Sequence, residues 1–332
     1  MITIYDIAQK MGVNPSTVSR ALRGAPGTSA ALREKIQKAA QEMGYSPNLM
    51  ARQLRMKTTS IIGVILDEEW NWYSGAIAGG VQSYAREKDI QLIFWNATSA
   101  ADQEAGLAVF EEMRIGGVVF ASTQIGEHSG EYPKLPFPAV FVNRINSSKT
   151  SRIMTDDMEG AMFAAEHLLS LGHRDIGFIN GPEYSIHSLN RLKGVKKALQ
   201  DAGVPFVEDW YAKTDWKEQA AYESALRILG GSIRPTALIS GNDEMAIGIY
   251  DAARELGLSI PEDVSVIGYN NHTCCDYMRP KLSTVSLPLW EMGRNALEAV
   301  FMKMNGKEIQ KDKRIVNGEL IVRESTGPCL RK

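Results

Sequence analysis

A chain of 332 residues, 44% of them hydrophobic, is long enough for two or three domains with sizeable cores. A net charge of −2 excludes a polycationic coat for nucleic acid, and no apolar run approaches the roughly 20 residues that span a bilayer. The charge is unevenly placed: residues 1–60 hold nine Lys/Arg against three Asp/Glu, and the rest of the chain holds 28 against 36. A basic head on an acidic body points to an anionic polymer bound at one end. The polar, amphipathic N-terminus is not a signal peptide. Three cysteines, two of them adjacent at Cys274 and Cys275, form neither a disulfide framework nor a metal-ligand spacing. A cytoplasmic protein without metal or other cofactor is expected.

The first stretch, MITIYDIAQKMGVNPSTVSRALR, reads as two short helices around a tight turn. Thr3 and Asp6 have the spacing of a capping box, and Ile4, Ile7, Ala8 and Met11 form one apolar face. Gly12 ends the first helix; Asn14 and Pro15 open the second. Val18, Ala21 and Leu22 face inward, which leaves Ser16, Thr17, Ser19, Arg20 and Arg23 outward. Small hydroxyl residues at a helix N-terminus, with an arginine one turn on, suit the DNA major groove. An ordinary helical hairpin with a solvated face has the same pattern. A third helix follows, capped by Ser29 and buried through Leu32, Ile36, Ala39, Ala40 and Met43, with Gly44 as its stop. Tyr45-Ser46-Pro47 breaks the pattern. Asn48–Arg55 could form two helical turns, too short to stand alone in water, so it reads as a segment that folds on docking or as a plain linker helix.

From Ile61 strands and helices alternate. Strands read at Ile61–Leu66, Gln91–Asn96, Gly117–Ala121 and Ala139–Val142, with helices at Ser74–Glu87 and Gln103–Met113. After Leu171-Gly172-His173 the grammar restarts: strands at Asp175–Asn180, Tyr211–Lys213, Ala237–Ser240 and Ser265–Tyr269, and helices at Arg191–Ala202, Glu218–Leu229 and Glu244–Leu256. This is βαβ order, hence two parallel sheets with helices on both faces, in two lobes. Ligands of such sheets bind beyond the carboxyl ends of the strands, here the cleft between the lobes. The residues placed there include Glu68, Trp70, Trp72 and Tyr73, then Asn143 and Arg144, then Arg191, Asp215, Trp216, Asn242, Asp243, Asn270 and Asn271. Aromatic faces cover the C–H side of a sugar, while amides and guanidinium groups reach its hydroxyls.

TIYDIAQKMGVNPSTVSRALRG, GYSPNLMARQLR, LGHRDIGFINGP, SGNDEMAIGIYDAARELGLSIPEDVSVIGYNN and PKLSTVSLP resemble the helix-turn-helix, hinge and ligand-domain signatures of the lactose-repressor/galactose-repressor (LacI/GalR) family of bacterial transcription regulators, over nearly the full chain. The resemblance implies a small all-α helix-turn-helix head plus an α/β two-lobed periplasmic-binding-protein-like domain. It implies a head at 1–46, a hinge helix and linker at 47–59, and a ligand-binding and dimerisation domain at 60–332. Within that domain the N-lobe spans about 60–160 plus 291–318, and the C-lobe about 161–290 plus 319–330. It further implies a homodimer on a near-palindromic double-stranded operator, with no membrane partner. DNA contacts fall to Thr3, Ser16, Thr17, Ser19 and Arg20 in the head and to Asn48, Ala51, Leu54 and Arg55 in the hinge, Leu54 being the wedge between base pairs in the minor groove. Ligand contacts fall to Trp72, Tyr73, Asn143, Arg191, Trp216, Asn242 and Asn270. Many relatives carry Asp at one or both of the positions of Asn143 and Asn270; two amides favour an uncharged, hydroxyl-rich ligand, a sugar over a purine.

The expected function is a repressor of carbohydrate-utilisation genes, gated by a sugar and acting at the nucleoid. The alternative is the same architecture with a purine, nucleoside or sugar phosphate as corepressor. Two other classes are weighed against it. Against an enzyme on this scaffold, the sequence shows no P-loop, no Gly-x-Ser-x-Gly elbow and no Cys/His metal cluster. An exported sugar-binding protein would need a signal peptide and no basic head. Gly79-Gly80 reads as helix packing, His167 and His173 as structural, and Asp156-Asp157 as loop acids. The C-terminus carries no heptad repeat of the kind that builds tetramers, which favours a dimer.

Overall fold

A computed structural model of the chain describes residues 2–22, 24–45, 61–66, 72–121, 135–143, 151–307, 313–316 and 318–331. The chain divides into two units, 1–59 and 60–332. Asn48, Ala51, Leu54 and Arg55 of the expected hinge lie outside the described residues, as do Glu68, Trp70 and Arg144.

The first unit contains α1 (Ile4–Met11), α2 (Pro15–Leu22) and α3 (Ala30–Glu42). The Thr3 N–H and hydroxyl both donate to Asp6 Oδ2 at 2.7 Å, which fixes the start of α1 and holds the Asp6 carboxyl below its ordinary range. Gly12 ends α1 at φ 63°, a left-handed conformation that costs glycine nothing. Pro15 opens α2, where its missing N–H is no loss, and the Asn14 carbonyl accepts from the Thr17 and Val18 N–H groups. Ser29 Oγ accepts from the Leu32 N–H at 3.3 Å at the start of α3. Ile7, Ala8, Val18, Ala21, Ile36 and Ala40 form the shared core, with Leu32 and Met43 against its edge. A core this small is marginal alone.

The second unit holds two six-stranded sheets. The first contains β1 (Ile61–Leu66), β2 (Gln91–Asn96), β3 (Gly117–Ala121), β4 (Ala139–Val142), β5 (Ser151–Thr155) and β11 (Lys313–Val316), in the order β11-β5-β4-β3-β1-β2, every pairing parallel. The second contains β6 (Ile176–Asn180), β7 (Tyr211–Lys213), β8 (Ala237–Ser240), β9 (Ser265–Asn270), β10 (Ser283–Ser286) and β12 (Leu320–Ile321). Its order is β12-β10-β9-β8-β6-β7, parallel except for β10 with β12. The chain therefore crosses between lobes three times: β5 to β6, β10 onward, and β11 to β12. Strands buried on both faces, such as IIGVIL and GVVFA, show why apolar runs rather than alternation mark them.

Helices cover each sheet. The first lobe carries α4 (Trp72–Glu87) and α10 (Leu289–Met304) on one face and α5 (Ala100–Glu112) on the other. The second carries α6 (Asp157–Ser170) with α7 (Ile186–Asp201), and α8 (Glu218–Leu229) with α9 (Asp243–Glu255). Contact between α4 and α10 is set by glycine. A Cβ on Gly80 would lie 1.8 Å from the Trp290 carbonyl oxygen, and one on Gly293 2.0 Å from that of Ile77. Gly80→Ala is expected to push these helices apart and destabilise the chain by about 1–3 kcal/mol, the cost of overpacking. Gly79→Ala, whose Cβ would meet only the Trp290 ring at 3.6 Å, is the matched control. Equal melting temperatures for the two variants would remove glycine as the reason for this packing.

His173 is a structural residue. Its Nδ1 pairs with Thr236 Oγ1 at 2.9 Å, and its Nε2 meets Ser265 Oγ and the Gly327 carbonyl, so one ring ties the residue before β8, the start of β9 and the C-terminal segment together. Burial lowers its basicity.

Candidate functional site

On the first unit, helical periodicity divides α2 cleanly. Val18 and Ala21 are buried, Thr17 and Ser19 half-buried, and Ser16 and Arg20 exposed one turn apart. Thr3 is exposed, with its hydroxyl committed to Asp6. Tyr5 stands 64% exposed on α1, an aromatic that amphipathic spacing does not single out.

In the second unit, the strand ends carry a buried polar cluster that begins with Arg191 in the second turn of α7. Its Nε donates to Asp157 Oδ1 at 2.9 Å, and its Nη1 donates to the Gly241 carbonyl. The guanidinium lies 3.8 Å from the centre of the Tyr269 ring and 5.4 Å from that of Trp216. His187 Nδ1 donates to the second Asp157 oxygen at 2.5 Å. Asp157, His187 and Arg191 are all buried. Desolvation opposes ionisation of Asp157, but the adjacent His187 and Arg191 outweigh it and bring the carboxyl to about 2. Gly160 makes room for the Tyr269 hydroxyl, since a Cβ there would be 2.2 Å away. Burial raises the Tyr269 phenol, so it stays a neutral O–H.

Trp216 is held at φ 72° with its ring on Gly181, where a Cβ would fall 2.2 Å from the indole. Asn242 fixes both neighbours: its Oδ1 caps α9 by accepting from the Met245 N–H at 2.7 Å, and its Nδ2 donates to the Trp216 carbonyl at 3.1 Å. Asn143, directly after β4, and Asn270, the last residue of β9, have φ 53° and 108°. Asn143 Nδ2 donates to the Tyr73 hydroxyl. The Oδ1 atoms of Asn143 and Asn270 are buried without a hydrogen-bond partner among the described residues. Tyr73 meets Trp72 edge-on at 5.7 Å, and Trp72 meets His272 of the second lobe at 4.6 Å between ring centres.

The structure thus gathers Tyr73, Asn143 and Trp72 on one lobe, and Arg191, Trp216 and Asn242 on the other. Several details differ from the sequence reading. Trp72 and Tyr73 form the first turn of α4 rather than a loop. Arg191 is no free fork, because one carboxylate, one carbonyl and one ring face already engage it. Asn242 is spent on capping and on Trp216. Asp157, read as a loop acid, opens α6 and anchors the cluster, while its neighbour Asp156 is the cap that accepts from the Glu159 N–H. His187 and Tyr269 were not singled out; the i, i+4 spacing of His187 and Arg191 on α7 is the signal that could have found one of them.

A three-helix reader and a two-lobed binding domain with a polar strand-end cluster define a ligand-binding DNA-binding protein. Residues 3–48 match the bacterial regulatory proteins of the lacI family, and residues 165–326 match the periplasmic binding protein-like domain. The catabolite control protein A of Priestia megaterium is 31% identical over 314 residues, covering 93% of this chain and 94% of that protein. The lac repressor dimer bound to operator and the anti-inducer ONPF superposes with a TM-score of 0.84 at 25% identity, over 98% of this chain and 99% of that one. A LacI family regulator from Enterococcus faecium with bound ribose superposes at 0.68 with 26% identity, over 81% of this chain and 99% of that one. The chain belongs to the lacI family of bacterial regulatory proteins, and it is a DNA-binding transcriptional repressor. No helix among the described residues is long and apolar enough to cross a membrane.

Proposed function

We propose that this protein acts in the cytoplasm as a homodimer on a near-palindromic operator, binding rather than converting its effector, and that the effector is a neutral sugar held between the lobes. One observation carries the ligand class: an amide oxygen at a strand end of each lobe, Asn143 Oδ1 and Asn270 Oδ1, is buried without a hydrogen-bond partner among the described residues. A buried acceptor without a donor costs about 1–3 kcal/mol, which a ligand hydroxyl bridging both lobes would recover. Asp157 supports the same reading. It neutralises Arg191 from within the protein, so a phosphate or carboxylate would find no uncommitted charge there. Trp72 and Trp216 supply the apolar faces. In a thermal-shift series, neutral sugars are expected to raise the melting midpoint, and purines and sugar phosphates to leave it in place. A midpoint raised by the anionic ligands alone would reverse the assignment.

On the DNA side, Ser16, Thr17, Ser19 and Arg20 read the major groove, Thr3 meets the backbone, and Asn48, Ala51, Leu54 and Arg55 enter the minor groove. Arg20→Ala is expected to weaken operator binding by about 1–3 kcal/mol, one bidentate base contact, with little change on random DNA. Titrating both DNAs at two salt concentrations separates the terms, because loss of a phosphate contact would lower both affinities and flatten the salt slope.

A further inference from the structure

Asn242 and Asp243 stand side by side at the start of α9. Asn242 is spent on Trp216 and on the cap, whereas Asp243, 1% exposed, is spent on the turn that follows β9. The Thr284 hydroxyl donates to Asp243 Oδ1 at 2.6 Å, and the His272 N–H donates to Oδ2 at 2.6 Å. Thr284 Oγ1 accepts in turn from the Asn271 N–H at 3.3 Å. Both amides after Asn270 therefore run to one carboxyl, one directly and one through a hydroxyl. Gly268 on β9 gives that carboxyl its room, since a Cβ there would fall 2.2 Å from Oδ1. A hydroxyl and a backbone N–H are neutral donors and compensate poorly for burying a carboxyl, so its place here is explained by what it holds.

The turn it holds is an unusual one. Asn270 and Asn271 have φ 108° and 58°, a region that residues other than glycine seldom adopt unless their surroundings hold them there. Arg323 Nη2 donates to the Asn271 amide oxygen at 2.8 Å. Asn270 Oδ1 is left buried without a hydrogen-bond partner among the described residues, and His272 packs on Trp72 of the other lobe. We propose that Asp243 is a positioning residue of the effector site, the clamp that sets Asn270 and His272 in place on the second lobe's half of the cleft. This rests on the reading that the effector lies between Asn143 and Asn270. Loss of the clamp frees the turn to leave its positive-φ conformation, and Asn270 Oδ1 and the His272 ring move with it.

Residue-resolved hydrogen exchange on the full-length, ligand-free protein reads the clamp directly. The Asn271 and His272 amides are expected to exchange about tenfold faster in Asp243→Ala than in the wild type. Asp243→Asn is expected to restore protection. Its amide accepts from the His272 N–H and donates to Thr284 Oγ1, whose hydroxyl can turn to the Val285 carbonyl at 3.5 Å. The Asn143 N–H, bonded to the Ile153 carbonyl in the first lobe, is the reference. Thr284→Val keeps the side-chain shape and removes the hydroxyl. It is expected to release the Asn271 amide, and it carries the test where Asp243→Ala does not fold. Unchanged exchange in these two variants, or a loss that Asp243→Asn leaves unrestored, would overturn the clamp. The same proteins are then melted with a panel of neutral mono- and disaccharides, each shift being read from that protein's own ligand-free midpoint. Asp243→Ala and Thr284→Val are expected to need about tenfold more of a sugar that raises the wild-type midpoint, and Asp243→Asn the wild-type amount. Equal responses in all four proteins would overturn Asp243 as a positioning residue. A panel that leaves the wild type unmoved would instead overturn the sugar reading, with the exchange result deciding the clamp.

Discussion

Asp157→Ala is expected to lower the stability of the chain by roughly 3–5 kcal/mol, the cost of leaving one partner of a buried ion pair uncompensated. Asp157 is 1% exposed and holds both the Arg191 Nε and the His187 Nδ1. Removing it strands a guanidinium beneath Tyr269. In a unit this large, such a loss lowers the melting midpoint by on the order of 10 °C. Asp157→Asn retains an acceptor for Arg191 and is expected to lose about half as much. A midpoint for Asp157→Ala within 2 °C of wild type (roughly 0.5–1 kcal/mol) would mean that water or relaxation supplies what the carboxylate does.

The same cluster sets an acid limit. The Asp157 carboxyl falls from 3.8 to about 2 on folding, so its contribution is present above the unfolded value and lost as the pH falls from about 4 to 2. Asp243 has the opposite sign. Burial raises it from 3.8 to about 7, so the folded state holds its proton longer, and stability declines as the pH rises between those values. Asp243→Asn should flatten that second slope and leave the acid limb in place. An Arg191→Ala variant is a poorer probe of the effector site than its position suggests, because it leaves Asp157 buried with one partner fewer.

Much of this architecture was legible because its signals are local. β1, β2, β3, β4, β7 and β8 have the bounds their apolar runs predict, and Gly12, Pro15 and Ser29 mark helix ends through single-residue chemistry. What escaped was non-local. β5, β10, β11 and β12 are short strands, β11 and β12 pair only after the chain has crossed between lobes, and STVS and LI carry little pattern of their own. In the site, residue types at strand ends were readable, but the commitments of their atoms were not. Asn242 looks like a ligand amide until the Met245 N–H and the Trp216 carbonyl are seen to occupy it. Asp157 looks solvated beside Asp156 until α7 brings His187 and Arg191 onto it from 30 and 34 residues away.

The double variant Asn143→Gly/Asn270→Gly is expected to weaken sugar binding about 100-fold, two hydrogen bonds at roughly 1–1.5 kcal/mol each. Glycine is the right truncation here because both residues have positive φ, where alanine would add strain of its own. Asn143→Gly also removes the amide's bond to the Tyr73 hydroxyl, so Tyr73→Phe alone separates that bond from the ligand's. The two amides stand on different lobes, and a ligand that uses both favours one lobe arrangement over others; that preference is the only free energy it has for altering DNA binding. The single variants should therefore lower both affinity and the response on operator, with coupling of about 1–3 kcal/mol in the wild type. Operator affinity without ligand should stay unchanged, since neither side chain lies in the DNA-reading unit. Titrating wild type and both singles with the sugar identified by thermal shift, in the presence and absence of operator, gives all four affinities of the linkage cycle. If the singles lose affinity but keep the full wild-type coupling, the amides bind the ligand without sensing the lobes, and the switch has to be sought at the Trp72–His272 contact instead.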